Sequence, residues 1–366
     1  EVKGFDPGQY METKEARRRD RFAQFAIAAT AQAVKQAHLA IDDSNADDVG
    51  VIIGTAVGGL QSWLECVETF VAGGPRRMNP FTMTMIIADS ASAQVAILNG
   101  ARGPNFAPVS ACAAGADGIG LAYEMMTRRR SGGGDARVML CGGAEATVSP
   151  LGIAAFDRLG AMTHENDPAA CRPFSKDRGG VVMGEGAAIF VLETLDHAQA
   201  RGAEPLAEIV GYGITCDAFH ISAPLQDGSG AARAIRLAIK RAGLAPEEIE
   251  YINAHGTGTP LNDPMETRAI KTAFGERAYQ IPISGTKSMT GHMMGATGAL
   301  EALLCVQAIR AGRLPPTINL RVPDPECDLD YVPNVARNAP VRCAMTNAFG
   351  FGGHNSVLII KKCEEN

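Results

Sequence analysis

The sequence predicts an α/β protein built in three or more layers, and three observations carry that prediction. Short, continuously apolar, β-branched runs alternate with Ala-rich amphipathic stretches along the chain. Strands that are apolar on both faces belong to a sheet covered on both sides. At 366 residues the chain is long for one hydrophobic core, which favours two fused units or one large layered body. The second half also repeats the plan of the first.

The elements run in chain order. Residues 19–38 predict the first helix, and "GVIIGTAVGG" (50–59) a buried strand running out into a Gly loop. Helices come next over 89–99 and 114–130, with "GGG" at 132–134 as a flexible surface turn. "RVMLCGGAEA" (137–146) repeats the strand-to-Gly plan, and "AIFVLET" (188–194) is a further strand. Beyond Pro205 come strands in "LAEIVGYGI" (206–214), "IEYINAHGTG" (249–258), "QIPISGTKS" (280–288) and "NSVLIIKK" (355–362). Helices over 229–243, 263–274 and 296–311 separate them.

The echo pairs "GPNFAPVSACAAGADGIGLAYEMM" with "YQIPISGTKSMTGHMMGATGALEALL", each a strand, a polar residue and a small-residue helix. It also pairs "VMLCGGAEATVSP" with "CAMTNAFGFGGHN". Two related halves, 1–204 and 205–366, fit the length better than two unrelated domains.

Composition narrows the class. Apolar content of 46% and charged content of 20% are ordinary for a globular protein. A net charge of −6 argues against nonspecific nucleic-acid binding. The apolar run "GAAIFVL" (186–192) is too short to span a membrane. Nine scattered cysteines without C-x-x-C read as reduced thiols, not as a disulfide framework or a zinc site. The expectation is a cytoplasmic protein, with an organellar home left open because the chain opens on Glu1 in loop-like "EVKGFDPGQY".

Four stretches carry candidate chemistry. Cys112 in "VSACAAGADGIG" falls at a strand-to-helix junction, where helix amides aim at the sulfur and lower the thiol pKa. Its small neighbours admit a substrate and a tight turn. From context alone it stands between a nucleophile and a small buried hydrophobe. Cys66, Cys141, Cys171, Cys216, Cys305, Cys327, Cys343 and Cys363 lack that setting and read as structural. His255 in "NAHGTGTPLND" ends a β-rich run in a loop of glycines and threonines, and presents a ring nitrogen and hydroxyls to one ligand.

In "GTKSMTGHMMGATGALEALL", Lys287 and His292 lie in the approach to a helix that carries Glu301. A lysine near a histidine disfavours the imidazolium, and a neutral histidine donates a hydrogen bond without being an acid. "NAFGFGGHN" supplies a backbone that bends closely around a ligand, with Phe349 and Phe351 as apolar plugs. It does not open a helix after a strand, so it is not a phosphate loop.

Together "SACAAG", "HGTGTP", "TKSMTGHMMGATGA" and "FGFGG" resemble the elongating β-ketoacyl-acyl-carrier-protein synthases, in order and spacing over essentially the whole chain. The resemblance implies the duplicated thiolase fold, five layers α-β-α-β-α, and a homodimer. It implies the elongation step of type II fatty acid synthesis, with acyl carrier protein bearing acyl and malonyl groups on phosphopantetheine. No cofactor or metal is expected.

By the same resemblance, Cys112 takes the acyl group, and His255 and His292 hold the malonyl thioester carbonyl during decarboxylation. Lys287 tunes the two histidines, and Glu301 holds the lysine. The Cys112 and Phe351 amides form the oxyanion hole, and Phe351 gates access. Thr257 and Thr259 hydrogen-bond the pantetheine arm, and Ser222 and Phe349 join the substrate-binding set. Val57 lines the far end of the acyl tunnel across the dimer interface. Lys14, Arg17, Arg18, Arg76 and Arg77 dock the acidic carrier.

The family opens with a strand and helix of roughly fifty further residues, on the scale of ordinary βα units. The expectation is that their absence leaves a gap in the first half's sheet. A thiolase would need a second cysteine in the final Gly-rich loop, and "FGFGG" has none. An initiating synthase would carry Asn at position 292, where His stands. An inactive chain-length partner would lack Cys112. A polyketide ketosynthase shares all of these residues and is the alternative.

Overall fold

The structure, a computed structural model, describes residues 1–127 and 135–364. The predicted turn at 132–134 and the end of the predicted 114–130 helix lie outside the described residues. Two mixed sheets form the frame. The first holds β1 (Val49–Gly54), β2 (Asn105–Phe106), β3 (Val138–Glu145) and β4 (Gly186–Glu193), in the order β2-β1-β3-β4. The second holds β5 (Glu208–Cys216), β6 (Tyr251–Asn253), β7 (Ile283–Ser284), β10 (Cys343–Gly350) and β11 (His354–Lys361), in the order β5-β11-β10-β6-β7. A two-stranded ribbon of β8 (Arg313–Leu314) and β9 (Arg337–Asn338) stands apart.

The two sheets correspond strand for strand. β1 runs parallel to β2 and β3, and β3 antiparallel to β4. Likewise β6 runs parallel to β7 and β10, and β10 antiparallel to β11. The second sheet adds β5 antiparallel to β11. Among the described residues, β4 carries no strand on its corresponding edge.

Helices complete five layers. Arg21–Gln36 and Ser90–Asn99 cover the outer face of the first sheet, and Ser229–Ala242 covers that of the second, with Asn262–Phe274 packed beside it. Between the sheets lie Ala114–Thr127 and Thr297–Ala311, packed on each other. The central core joins Ile52 and Ile119 of the first half to Tyr212 and Leu358 of the second. Burying each such side chain stabilises by about 1.5–3 kcal/mol.

The small residues after Cys112 also serve this middle layer. A Cβ on Gly115 would lie 2.6 Å from the Gly295 carbonyl oxygen, and one on Gly54 2.0 Å from that of Ala114. A Cβ on Gly298 would lie 2.9 Å from the Ala116 Cβ, so the two central helices approach closely because only small side chains stand between them.

Most predicted elements stand within a few residues, and the structure changes or adds several others. The strand runs expected over 249–258 and 280–288 shrink to β6 and β7. Past β6 the chain is loop and past β7 it turns into the one-turn helix Lys287–Thr290, because these residues leave the ladder to build the site. Strand β10 and the helix Leu60–Gly73 were not expected. In β10 the polar Thr346 and Asn347 interrupt the apolar pattern, yet both are buried.

Candidate active site

The carboxyl ends of the parallel strands converge, and that is where open α/β sheets bind ligands. From β6 the chain enters the His255 loop, from β7 the Lys287 turn, and from β10 the Phe351 turn. Cys112 sits in a 3-10 turn, Ala111–Ala113, that leads into the helix Ala114–Thr127.

Ala111 has φ +51°, a left-handed conformation rare for alanine. Strain of this kind persists where the surroundings enforce it. Here β10 does so: a Cβ on Gly350 would lie 2.8 Å from the Ser110 carbonyl oxygen and 3.1 Å from the Cys112 amide nitrogen. Around Cys112 lie Val181, Met183 and Met294, with Phe156 and Met162 at the margin. This lining is apolar, as an acyl chain requires.

The expected fall in the Cys112 thiol pKa is corrected. Burial first, with the Glu145 charge behind it, pushes the thiol up to about 12, against the pull of the Lys287 charge and of the Phe351 and Cys112 amides. Desolvation of a thiolate outweighs a helix terminus when the sulfur is shut from water. The resting thiol therefore holds its proton.

His255 and His292 stand ring to ring, with centroids 5.4 Å apart and planes at 86°. Both are buried, and both titrate well below the ordinary histidine value, through desolvation first and the nearby Lys287 charge second. Both rings are therefore neutral at physiological pH.

Lys287 is fully buried and directs its three protons at three acceptors. These are Glu301 Oε1 at 2.6 Å, His255 Nδ1 at 3.3 Å, and the His255 carbonyl oxygen. An ammonium only donates, so His255 Nδ1 accepts and its Nε2 carries the hydrogen. Burial raises the Glu301 carboxyl while Lys287 pulls it down. His292 Nδ1 is held by Thr297 Oγ1 at 2.9 Å. Its backbone pairs with Val182 and Gly184.

The threonine loop is built as expected, with partners the sequence reading missed. Thr257 and Thr259 hydroxyls lie 3.0 Å apart, and Thr259 also accepts the Asn262 amide. Glu266 takes the His255 and Gly256 amides, each at 2.8 Å, and Asp263 takes the Gly258 amide at 3.1 Å. Glu145, at the end of β3, is a third unforeseen carboxylate. In sequence each reads as an ordinary surface charge. Their one signal is an acidic residue just past a strand end or in a Gly-rich segment.

Phe349 is buried with its ring 5.7 Å from that of His255. Phe351 is half-buried and stacks on Phe156 at 6.1 Å. Ser222 lies in the neighbouring 217–228 loop, where its amide and that of Ala223 bond His220 Nδ1. That loop meets the Phe351 turn through Ile221, whose carbonyl accepts the Gly352 amide at 2.7 Å.

Val57 is 45% exposed, which excludes a core role within the chain. The basic residues gather on the surface. Lys14, Arg17, Arg76 and Arg77 are exposed. Arg18 pairs with Glu15 and lies 4.5 Å over the Phe81 ring, which brings the two basic segments together. No described helix is long and apolar enough to cross a membrane.

Comparison with known proteins agrees with this geometry. Residues 1–198 match the beta-ketoacyl synthase N-terminal domain, and residues 206–321 the C-terminal domain. The 3-oxoacyl-[acyl-carrier-protein] synthase 2 of Synechocystis sp. is 52% identical over 99% of this chain and 86% of its own. Among solved structures, the ishigamide ketosynthase/chain length factor aligns with a TM-score of 0.91 at 40% identity, over 99% of this chain and 87% of that one. A type II PKS acyl-carrier protein in complex with its ketosynthase aligns with a TM-score of 0.89 at 37% identity, over 94% and 85%. With the five-layered duplicated thiolase fold beneath its cysteine and paired histidines, this chain belongs to the beta-ketoacyl synthase family of condensing enzymes.

Proposed function

We propose that the chain elongates fatty acyl groups by decarboxylative condensation with malonyl-acyl-carrier-protein, using Cys112, His255 and His292. The Cys112 sulfur attacks the acyl-carrier thioester, and the carrier leaves as a thiol with the cysteine's proton. The amides of Cys112 and Phe351 hold the oxyanion. Malonyl-carrier then binds with its thioester carbonyl at His255 and His292. The bond to the carboxylate breaks, carbon dioxide leaves, and its electron pair forms an enolate held by the two ring N–H groups. The enolate carbon attacks the acyl-cysteine carbonyl and expels the Cys112 thiolate, which takes a proton from water to restore the resting thiol. The products are β-ketoacyl-carrier, carbon dioxide and, from the first step, free carrier.

The observation that carries this reading is the pair of neutral histidines beside a buried lysine. An imidazolium would protonate the enolate, whereas a neutral N–H stabilises it. Thr257 and Thr259 suit the pantetheine arm, and Phe351 suits a gate, because Cys112 and both histidines are buried. Ser222 and Phe349 complete the substrate set. Condensation of malonyl-carrier with a series of acyl-carriers, read by product mass, tests the whole. A polyketide role is the second reading, favoured by the likeness to the ketosynthase of a type II PKS. It predicts that unreduced β-ketoacyl products are taken up again and lengthened, which the same masses reveal.

The working unit in this reading is a homodimer of two related halves per chain, 1–204 and 205–366, in the cytoplasm. Exposed large apolar side chains concentrate in the first half, at Val57, Trp63, Phe70, Val71, Ile97 and Leu98. Exposed apolar side chains in such number suit an interface between copies. All nine cysteines are free, as a reducing compartment requires.

Val57 then closes the acyl tunnel across the dimer. Each methylene buried there contributes about 0.8 kcal/mol, so displacing two costs on the order of tenfold in rate. Val57→Phe is expected to cut turnover of long acyl-carriers by that factor and to spare acetyl and butyryl chains. Equal loss at every chain length removes Val57 from the tunnel.

The carrier docks on Lys14, Arg17, Arg18, Arg76 and Arg77. Replacing Arg17 and Arg18 together by Glu is expected to slow carrier-dependent turnover on the order of tenfold at low salt and to flatten its salt dependence. Unchanged kinetics across ionic strength place the docking face elsewhere.

A further inference from the structure

Glu145 is a fully buried carboxylate that the chemistry above does not use. It ends β3, and its two oxygens take three donors from two distant segments. Oε1 accepts the Thr55 hydroxyl at 3.0 Å. Oε2 accepts the Ala56 amide at 2.6 Å and the Gly295 amide at 3.1 Å. Thr55 and Ala56 come directly after β1 in the first half of the chain, whereas Gly295 belongs to the second.

The Gly295 end of this staple leads to the reacting groups. Gly295 is preceded by Met294, which has φ +45° and packs against Cys112. Two residues further on, Thr297 holds the His292 ring. The fit leaves no slack: a Cβ on Gly295 would lie 2.3 Å from the Ala56 nitrogen and 2.7 Å from Glu145 Oε2. The 292–297 loop is thus gripped at its far end by Thr297, at His292 by the backbone of Val182 and Gly184, and in its middle by Glu145.

A buried carboxylate is an expensive way to finish a strand. Apolar side chains in its place commonly leave a protein as stable or more so. Burial also pushes this carboxyl up to about 7, so the site resists the charge it holds. What a carboxylate offers here is acceptance of several N–H and O–H donors by one group of fixed shape.

We propose that Glu145 is a positioning residue for decarboxylation: its carboxylate fixes the 292–297 loop against the end of β1 and so aims the His292 ring at the malonyl carbonyl. The proposal rests on the role given to His292 above. It predicts a split between the two half-reactions. Acyl transfer needs Cys112 and its amides, to which Glu145 makes no hydrogen bond; the Glu145 charge reaches the thiol only to hold it up, so its removal does not slow this half-reaction. Carbon dioxide release needs His292 in register, and a displacement near 1 Å costs up to about a hundredfold.

The test uses Glu145→Gln, which keeps the shape, and Glu145→Ala. Two rates are read beside the melting temperature: single-turnover transfer of butyryl from its carrier to Cys112, and carbon dioxide release from malonyl-carrier. In the Gln variant, butyryl transfer is expected to be no slower than about half the wild-type rate, since losing the Glu145 charge only eases the thiol. The kcat for carbon dioxide release is expected to fall on the order of tenfold at unchanged KM for malonyl-carrier. The Ala variant loses more where it folds, and the Gln variant carries the test where it does not. A folded Gln variant that releases carbon dioxide at the wild-type rate overturns the proposal. So does a parallel loss of both half-reactions that tracks the melting temperature, since that marks a structural part only. His292→Ala is measured alongside. If it too releases carbon dioxide at the wild-type rate, the role of His292 fails first and takes this proposal with it.

Discussion

Cys112→Ala leaves a folded protein that accepts no acyl group and makes no condensation product. The site predicts a small structural cost. Ala113, Ala114 and Ala116 follow the position with buried methyl-sized side chains, and the flexible Met183 and Met294 beside the sulfur close on the space it leaves. Removing one sulfur leaves a void of about one atom, which costs on the order of 1 kcal/mol. Chemically the loss is complete, because no other cysteine shares the setting. Cys141 and Cys305 lie inside the central core and the Cys171 thiol donates to the Lys287 carbonyl oxygen at 3.0 Å, so none of them belongs to the apolar lining around Cys112. Cys216 is exposed and is the internal control for stray reactivity. The measurement is covalent labelling by a radiolabelled acyl-carrier, then product mass with malonyl-carrier. Label retained at wild-type stoichiometry, or surviving condensation, would falsify the nucleophile assignment.

The raised Cys112 thiol adds a pH expectation to the same experiment. Wild-type alkylation by iodoacetamide should climb through pH 7–9 without reaching a plateau, since burial holds the thiol at about 12. A plateau near neutrality would mean that the helix terminus wins over desolvation after all.

How far the sequence reached depends on what kind of physics each residue expresses. Cys112, His255, Lys287 and His292 were legible because they are reactive types flanked by glycines and small residues, a pattern that surfaces and cores rarely produce together. The alternating strands and Ala-rich helices gave the layers, since periodicity encodes which face is buried. The ends of β6 and β7 were not legible. His255 and Lys287 continue an apolar or Gly-rich run, and only tertiary pairing decides where the ladder stops.

Strand β10 was hidden for the converse reason. Thr346 and Asn347 look solvated in sequence, but Asn347 is buried and donates to Glu266 Oε1 at 3.0 Å. Glu145, Glu266 and Asp263 were missed because a carboxylate's burial is invisible until its donors, distant in sequence, are brought to it. The sign of the Cys112 shift was missed likewise. A helix N-terminus can be read from local sequence, but the loss of water around the sulfur comes from Val181, Met183 and Met294, which lie 69, 71 and 182 residues further along.

His255→Ala and His292→Ala each block carbon dioxide release while Cys112 still takes an acyl group. The two rings are neutral, buried and nearly perpendicular, so both can aim an N–H at one developing oxyanion. Removing one such donor from a preorganised hole costs about 3 kcal/mol, or on the order of a hundredfold in rate. The loss at His255 should be the larger. Its Nδ1 and carbonyl oxygen take two of the three Lys287 protons, so its removal also frees the ring-side proton of the ammonium to move toward Glu301. His292→Ala leaves Lys287 with all three acceptors.

Desolvation and the Lys287 charge hold both rings well below the usual histidine value, so neither gains a proton as pH falls from 8 to 6. Malonyl decarboxylation by the wild type should therefore show no histidine limb in that window. Stability should behave oppositely. In the unfolded chain each histidine protonates near 6.5, and in the folded chain it does not. Below that value the unfolded state binds more protons, so stability falls as pH drops through about 6.5. In each alanine variant that slope should be shallower by one proton. The checks are carbon dioxide release against pH, acyl labelling of both variants, and denaturant midpoints between pH 5 and 8. Either variant releasing carbon dioxide at the wild-type rate removes that histidine from the enolate site. A wild-type decarboxylation limb near 6.5 would mean that the rings take up protons in the folded enzyme.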